Sequence, residues 1–155
     1  MAEVPQLGAR GGGWVALQFV LMAAIVGVVL ARPDSDSAWR SVVGAALFLS
    51  GVGVVVLAAR ALGSGLTPFP RPSLDGRLVE RGPYSAVRHP VYSGGVLVFS
   101  GIALARSPWA LVGVAVLAVV WALKARVEER FLVEAYPGYA DYCTRTRFRL
   151  APFVY

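Results

Sequence analysis

Residues 88–129 read RHPVYSGGVLVFSGIALARSPWALVGVAVLAVVWALKARVEE. Two apolar segments, residues 91–105 and 109–123, are separated here only by Arg106-Ser107-Pro108, a turn whose proline suits the first position of a helix. We therefore predict a tight helical hairpin. Ionisable side chains are costly at the mouth of a membrane bundle. The polar clusters at residues 88–92 and 124–129 therefore indicate a site at the ends of the hairpin.

The composition is typical of a membrane protein. The chain has 155 residues, 57% of them hydrophobic, and a mean hydropathy of +0.62, whereas soluble domains are about 45–50% apolar. The net charge is +6, but the basic residues flank apolar segments and form no stripe with interleaved aromatics, so no nucleic-acid partner is expected. Cys143 is the only cysteine and His89 the only histidine, which excludes an intramolecular disulfide and leaves no metal site expected.

Four apolar segments approach the roughly 20 residues that a helix needs to cross a bilayer. They are residues 14–31, 41–59, 91–105 and 109–123. We predict an all-α, polytopic membrane helical bundle of about four transmembrane helices, with residues 1–155 forming a single domain. The alternative for the first segment is a signal peptide cleaved near Ala31, but its apolar run exceeds the usual 7–15 or so residues and further spans follow.

The distribution of cations predicts the orientation in the membrane. With a cytoplasmic N-terminus, only Arg32, Arg40 and Arg106 of the 15 basic residues fall on the outer side. The positive-inside rule then places both termini in the cytoplasm, in a protein of the inner membrane. Tryptophan is favoured at membrane interfaces. All four tryptophans lie at predicted span edges: Trp14, Trp39, Trp109 and Trp121.

Two polar segments are predicted on the cytoplasmic side, a loop at residues 63–89 and a tail at residues 124–155. Prolines 68, 70 and 72 favour an extended path, and a loop of this length is uncommon unless it is a lid or binding segment; a simple tether is the alternative. The tail is predicted to extend the last helix as far as Pro137-Gly138 and then to pack back against the mouth. Its apolar residues are Tyr139, Tyr142, Phe148, Leu150 and Phe153.

The start of the third span carries the first candidate site residues. Pro90 suits the first helical position, so His89 is predicted to be the N-cap. The amides of this helix start can receive a carboxylate or another anion. Tyr92, three residues after His89, lies on roughly the same face. The alternative is that His89 only caps the helix and Tyr92 belongs to the interfacial belt.

The end of the fourth span carries the second set. Lys124 and Glu128 share a helix face, but an exposed pair of this kind contributes only a few tenths of a kcal/mol, which is a poor reason for its presence. Adjacent carboxylates at Glu128 and Glu129 are unusual for a membrane anchor because they repel and resist desolvation. A solvated charged face is the alternative. Lys124, Glu128 and Glu129 are expected to lie near a histidine and a helix start around one opening, and this arrangement favours a functional site.

Signatures of soluble enzymes are absent from the sequence. There is no GxSxG elbow and no GxxxxGK[ST] loop, and the N-terminal glycines do not follow a strand as a dinucleotide fingerprint requires. Gly44, Gly51 and Gly53 in the second span are expected to permit close helix packing.

Five motifs follow one another along residues 65–153. They are Leu78-Val79-x-x-Gly82-Pro83-Tyr84, Val87-Arg88-His89-Pro90-x-Tyr92-x-Gly94, Glu128-Glu129-x-x-Leu132, Tyr136-Pro137-Gly138-Tyr139-x-x-Tyr142 and Arg149-x-x-Pro152. In this order and spacing they resemble the isoprenylcysteine carboxyl methyltransferase and phospholipid methyltransferase group of integral membrane enzymes. The first two spans match only as apolar helices.

The resemblance implies S-adenosylmethionine as cofactor, held at the cytoplasmic mouth beneath the loop and tail. The implied cofactor-binding residues are Arg77, Leu78, Val79, Tyr84, His89, Pro90, Val91, Tyr92 and Glu128. Lys124 stands where the prenylcysteine enzymes carry a substrate-binding arginine, so it is the implied substrate-binding residue, although a lysine is a poorer bidentate partner for a carboxylate. The implied acceptor is lipophilic: an isoprenylcysteine-type carboxylate, a lipid amine or a hydrophobic thiol.

Methyl transfer mainly requires alignment in a dry site. Aromatic faces such as those of Tyr84 and Tyr92 stabilise a sulfonium cation, and an amine acceptor needs a group that removes its proton, for which His89 and Glu129 are nearest. The catalytic candidates are thus His89, Tyr92 and Glu129. The alternatives are a non-catalytic membrane binding or scaffold protein of the same family and a helical subunit of a larger complex.

Overall fold

The computed structural model describes residue 5 and residues 7–8, 11–34, 37–73 and 76–151, and within them the chain forms helices and no strand. The α-helices are α1 (Gly12–Ala31), α2 (Ala38–Leu62), α3 (Pro90–Arg106), α4 (Ala110–Ala135) and α5 (Tyr139–Arg145). Short 3₁₀ turns occupy Gly63–Gly65 and Gly82–Ser85. The predicted all-α class is confirmed. Phe153 and Pro152, used in the sequence interpretation, lie outside the described residues.

Three of these helices are long and apolar enough to cross a membrane: α1, α4, and α2 together with its 3₁₀ extension. The fourth apolar helix, α3, has 17 residues and is therefore about 26 Å long, slightly less than the roughly 30 Å of a hydrocarbon core. The bundle thus has three long members and one shorter member. Apolar side chains such as Leu30, Val42 and Val112 are exposed on its outside, as lipid-facing positions require.

The core lies where α1, α3 and α4 meet. Ile25 of α1, Phe99 of α3 and Leu117 of α4 belong to one buried cluster. The α3–α4 hairpin predicted from residues 88–129 is present, and the amide of Asp34 bonds to the carbonyl oxygen of Arg106 at 2.9 Å, joining the α1–α2 connection to the hairpin turn. The opposite end of the bundle carries the starts of α1 and α3 and the ends of α2 and α4.

Glycines bring α2 and α3 into direct backbone contact. A Cβ on Gly44 would lie 2.6 Å from the carbonyl oxygen of Gly101, and one on Gly51 would lie 2.6 Å from that of Gly94. No other residue fits at these crossings without separating the helices. The expectation of close packing is confirmed for Gly44 and Gly51 but is wrong for Gly53, which has no atom within 4 Å of a Cβ position.

The tryptophans divide into two pairs. Trp39 and Trp109 are 63% and 72% exposed, as interfacial residues should be. Trp14 and Trp121 are buried, so the interfacial interpretation is wrong for them. Both point into the bundle, where the indole N–H of Trp121 donates to Gln18.

The helix after the hairpin continues as predicted, because α4 runs to Ala135 and ends just before Pro137-Gly138. The tail then forms α5, which was not predicted, and a strap without regular secondary structure at residues 146–150. Tyr139 and Tyr142 are buried, and Phe148 and Leu150 are partly buried. The prediction that the tail packs back against the bundle is confirmed for these four residues.

Candidate functional site

A cavity opens at the end of the bundle where the loop, the start of α3, the second half of α4 and α5 meet. Its empty space, counted out to the open mouth, is about 780 Å³. Most of the sequence candidates line it: Arg77, Leu78, Val79, Tyr84, His89, Val91, Tyr92 and Glu128. Pro90, Lys124 and Glu129 are not among the lining residues. The predicted meeting of the α3 start with the α4 end around one opening is thereby confirmed.

His89, Tyr92 and Glu128 form the centre of the lining. The Tyr92 hydroxyl donates to Oε2 of Glu128 at 2.7 Å, and Nδ1 of His89 lies 3.8 Å from the same oxygen. The rings of His89 and Tyr92 stack with centroids 5.6 Å apart, and Tyr92 stacks in turn on Trp121 at 5.6 Å. This column fixes the orientation of the Tyr92 ring, because both of its faces are covered.

His89 is the residue before α3, with Pro90 at the first helical position as predicted, but its side chain makes no capping hydrogen bond. Most backbone amides around the start of α3 already donate hydrogen bonds. Arg88 N and His89 N donate to the carbonyl oxygens of Phe148 and Arg149 at 2.9 Å, and the amides of Tyr92 and Ser93 donate to His89 O. The tail strap thus takes the amides of Arg88 and His89, just before α3, and His89 O takes those of Tyr92 and Ser93; the anion site at this helix start stays a prediction.

Glu129 does not line the cavity. It belongs to a network of hydrogen bonds that the sequence did not predict. Its Oε1 accepts from Nε of Arg88 and its Oε2 from Nε of Arg149, both at 2.8 Å, while Nε2 of His89 lies 3.4 Å from Oε1. The side chains of Arg88 and Glu129 are 8% and 12% exposed. The carboxylate therefore joins α4 to the residues before α3 and to the tail strap.

Lys124 is fully buried next to the site. Its ammonium group donates to Oε1 of Gln18 and to the carbonyl oxygen of Pro68, both at 2.7 Å, and lies 5.3 Å from the centre of the Tyr92 ring. It thus ties α1 and the proline-containing loop to α4. The polar residue Gln18, within an otherwise apolar α1, was the signal in the sequence that this helix has an inward-facing contact.

Four tyrosines from the loop and tail form much of the remaining wall: Tyr84, Tyr136, Tyr139 and Tyr142. The Tyr142 hydroxyl donates to the carbonyl oxygen of Tyr84 at 2.6 Å, which fastens α5 to the 3₁₀ turn. Burial raises the pKa of the Tyr84 and Tyr142 phenols, so both remain neutral at physiological pH. The three-residue spacing from Tyr136 to Tyr142 was the signal that could have placed them on a common surface.

The described residues include no group of three or more His, Cys, Asp and Glu side chains arranged to hold a metal ion. The charged groups of the lining are instead one carboxylate, Glu128, and two guanidinium groups, Arg77 and Arg88; one imidazole, phenols and apolar side chains complete it. Such a lining suits an organic ligand that carries both a positive and a negative charge.

Comparison with known proteins agrees with this geometry. The sequence model of the phospholipid methyltransferase family matches residues 39–138, which hold α2, the loop, α3, α4 and the central residues of the cavity. The chain is also similar to the cobalt-zinc-cadmium resistance protein CzcN of Cupriavidus metallidurans, with 41% identity over 73 residues. That match covers 44% of this chain and 33% of the relative, so the chain spans about a third of the length of the curated protein it matches. The chain belongs to the phospholipid methyltransferase family of integral membrane methyltransferases, which includes the isoprenylcysteine carboxyl methyltransferases.

Proposed function

We propose that this protein transfers a methyl group from S-adenosylmethionine to a lipophilic acceptor at the cytoplasmic face of the inner membrane. The observation that carries the proposal is the placement of His89, Tyr92 and Glu128 on one cavity at the end of a membrane bundle. Methyltransferases of this family generally use this cofactor. The concentration of basic residues on the cavity side supports the orientation with both termini in the cytoplasm.

The lining fits the cofactor chemically. Glu128 offers a carboxylate to the ammonium group of the amino-acid portion, and Tyr84 and Val91 offer apolar surface to the adenosine portion. No backbone–backbone hydrogen bond between described residues uses residues 77–80, so the N–H and C=O groups of Arg77, Leu78 and Val79 suit the polar edges of adenosine. Pro90 contributes by starting α3, which sets His89 and Val91 on the wall.

When bound, the cofactor supplies an electrophilic methyl group, whose bond to the positively charged sulfur breaks as the acceptor bonds to the methyl carbon. The protein contributes alignment and exclusion of water. Both faces of the Tyr92 ring are covered by His89 and Trp121, so we assign the aromatic stabilisation of the cation, worth about 1–2 kcal/mol when desolvated, to Tyr84 on the cavity wall.

The acceptor's proton is the second chemical requirement. A carboxylate acceptor has none to lose, whereas an amine or thiol must release one, and we assign its removal to His89, which lines the cavity. Glu129 is the other candidate. Because each of its oxygens already accepts from an arginine, we propose that it holds Arg88 and His89 in position.

Lys124 remains the proposed contact to the acceptor. Its ammonium group donates hydrogen bonds to Gln18 and to Pro68 O. An acceptor that contacts this group must therefore replace the carbonyl oxygen of Pro68 as its partner or bind beside it. Lys124→Met should then lower methylation while leaving the affinity for S-adenosylhomocysteine unchanged. An equal loss of that affinity would assign Lys124 to holding the loop over the cofactor.

The test of the function uses the purified protein in detergent, cofactor labelled on the methyl group, and a total lipid extract. We expect label in a lipophilic product with the native protein and little label with Glu128→Ala. Mild base releases the label from a methyl ester but not from a methylamine or thioether, which identifies the acceptor class. Saturable binding of S-adenosylhomocysteine without any labelled product would favour the non-catalytic alternative. No binding at millimolar concentration would overturn the proposal.

A further inference from the structure

Gln18 interrupts the otherwise apolar sequence of α1 and faces α4. It is 7% exposed, and its Oε1 accepts from the indole N–H of Trp121 at 3.1 Å and from the ammonium group of Lys124 at 2.7 Å. Trp121 and Lys124 are three residues apart and share a face of α4. Both of these groups are donors only, so the two bonds need the carbonyl oxygen of Gln18 and use both of its lone pairs.

The indole of Trp121 is held at both of its ends. Its N–H is bonded to Gln18, and its six-membered ring lies against α3, where a Cβ added to Gly95 would lie 2.6 Å from it. Between these contacts the indole stacks on the Tyr92 ring, with centroids 5.6 Å apart and planes 11° from parallel. A rotated indole would lose the bond to Gln18 and disturb this stack.

The Tyr92 ring connects this arrangement to the cavity. Its hydroxyl donates to Oε2 of Glu128 at 2.7 Å. Tyr92 and Glu128 line the cavity, whereas Gln18 and Trp121 are not among the lining residues. Because hydrogen bonds are directional, a change in the tilt of the Tyr92 ring weakens the bond that fixes the Glu128 carboxylate on the cavity wall.

We propose that Gln18 is a positioning residue for methyl transfer: through Trp121 and Tyr92 it fixes the carboxylate of Glu128 in the orientation that binds the cofactor. This role rests on the proposed function and extends it to α1, which lies outside the matched residues 39–138. The alternative is that Gln18 only pairs two buried donors and thereby stabilises the bundle. Loss of the acceptor lowers stability in either case, so cofactor affinity is the quantity that separates the two roles.

Gln18→Met keeps the length of the side chain and removes the acceptor. Calorimetry in detergent, well below the thermal midpoints, should show S-adenosylhomocysteine binding about threefold more weakly to this variant than to the native protein. Gln18→Glu retains an acceptor oxygen for Trp121 and Lys124 and should restore most of the affinity. Ile25→Val is the matched control on α1. Ile25 is buried in the cluster shared with α3 and α4 and does not line the cavity, so this variant should have a lower midpoint and the native affinity.

A double-mutant cycle shows whether Gln18 acts through Tyr92. Tyr92→Phe removes the bond to Glu128, so adding Gln18→Met to it should weaken binding little further, and the two losses should not multiply. An effect through Lys124 and the loop, or through a looser bundle, would multiply with that of Tyr92→Phe. Trp121→Phe removes the other partner of the bond and leaves an aromatic ring beside Tyr92. It should reproduce the loss of affinity and takes the place of Gln18→Met in the cycle if that variant does not fold.

Four results would overturn the positioning role of Gln18. They are native affinity in Gln18→Met or its replacement Trp121→Phe, losses that multiply in the double variant, no recovery in Gln18→Glu, and an equal loss of affinity in Ile25→Val. Each is measured against native protein that binds S-adenosylhomocysteine. Native protein that does not bind it would instead overturn the proposed function, so the two failures are distinguishable.

Discussion

The hydroxyl of Tyr92 donates a 2.7 Å hydrogen bond to Oε2 of Glu128, and this bond links the first turn of α3 to the second half of α4. This bond uses one lone pair of Oε2, and the carboxylate of Glu128 stays on the cavity wall. Glu128 is therefore fixed in place and still able to accept from a ligand.

Glu128→Ala should weaken binding of S-adenosylhomocysteine by about tenfold or more, because hydrogen bonds that involve a charged group are worth about 1.5–3 kcal/mol. Tyr92→Phe should weaken it less, since the carboxylate remains. Glu134→Ala is the control, because Glu134 is exposed on the same helix and its loss should not alter binding. Calorimetry that gave all three variants the native affinity would remove Glu128 from the site.

The network at Glu129 should matter to stability far more than an exposed ion pair does. Replacing Arg88 by Met leaves a nearly buried carboxylate with one cation fewer, and breaking buried pairs costs about 3–5 kcal/mol. Arg145 pairs with Glu80 at 2.6 Å on the surface, with side chains 58% and 39% exposed, and such pairs contribute about 0–1 kcal/mol.

We expect the thermal midpoint in detergent to fall clearly for Arg88→Met and barely for Arg145→Met. Salt should reduce the small effect of Arg145→Met and leave most of the effect of Arg88→Met. Equal shifts for the two variants would mean that the Glu129 network adds little to the fold.

Sequence patterns predicted the parts of this fold that depend on hydropathy and chain order. The runs of apolar residues predicted the helices α1 to α4, and Pro108 predicted the turn of the hairpin. Once both hairpin ends lay on one side, His89 and Glu128 had to be near each other. Helix rotation, by contrast, depends on packing, so Trp14 and Trp121 were assigned to the interface although both face inward.

The tail was predicted less well. A helix of seven residues such as α5 is too short for apolar periodicity to show. The pairing of Arg149 with Glu129 joins residues 20 apart in sequence, and it follows only from the path of the strap. The same strap accepts from the amides of Arg88 and His89, just before α3, a contact that sequence patterns do not reveal.

The α2–α3 crossing offers a test with a control on the same helix. Gly51→Ala places a Cβ 2.6 Å from the carbonyl oxygen of Gly94, so the helices must separate, and overpacking of this kind costs about 1–3 kcal/mol. Gly53→Ala meets no atom within 4 Å and should stabilise α2 by about 0.5–1 kcal/mol, because alanine loses less backbone entropy than glycine in a helix. Thermal unfolding in detergent should move the two variants in opposite directions. A native midpoint for Gly51→Ala would contradict the close crossing.

Alkaline pH should destabilise the protein through its buried phenols. Burial raises the pKa of Tyr84, Tyr139 and Tyr142 above the ordinary value of 10.0. Their contribution to stability is therefore fully present below pH 10, and it is lost as the pH rises above 10, where the unfolded chain releases protons that the folded chain retains. Each such group lowers the free energy of unfolding by at most about 1.4 kcal/mol per pH unit in that window.

The measurement is the thermal midpoint in detergent as a function of pH from 8 to about 11. Tyr142→Phe removes one of the three titrating groups, so its midpoint should start lower but decline less steeply above pH 10 than that of the native protein. The substitution also removes the hydrogen bond from Tyr142 to Tyr84. The stability lost with this bond is the same at every pH at which the native phenol is protonated, so it lowers the midpoint without changing the slope. Parallel declines in the two proteins would show that Tyr142 is not shielded from solvent by α5 and the 3₁₀ turn.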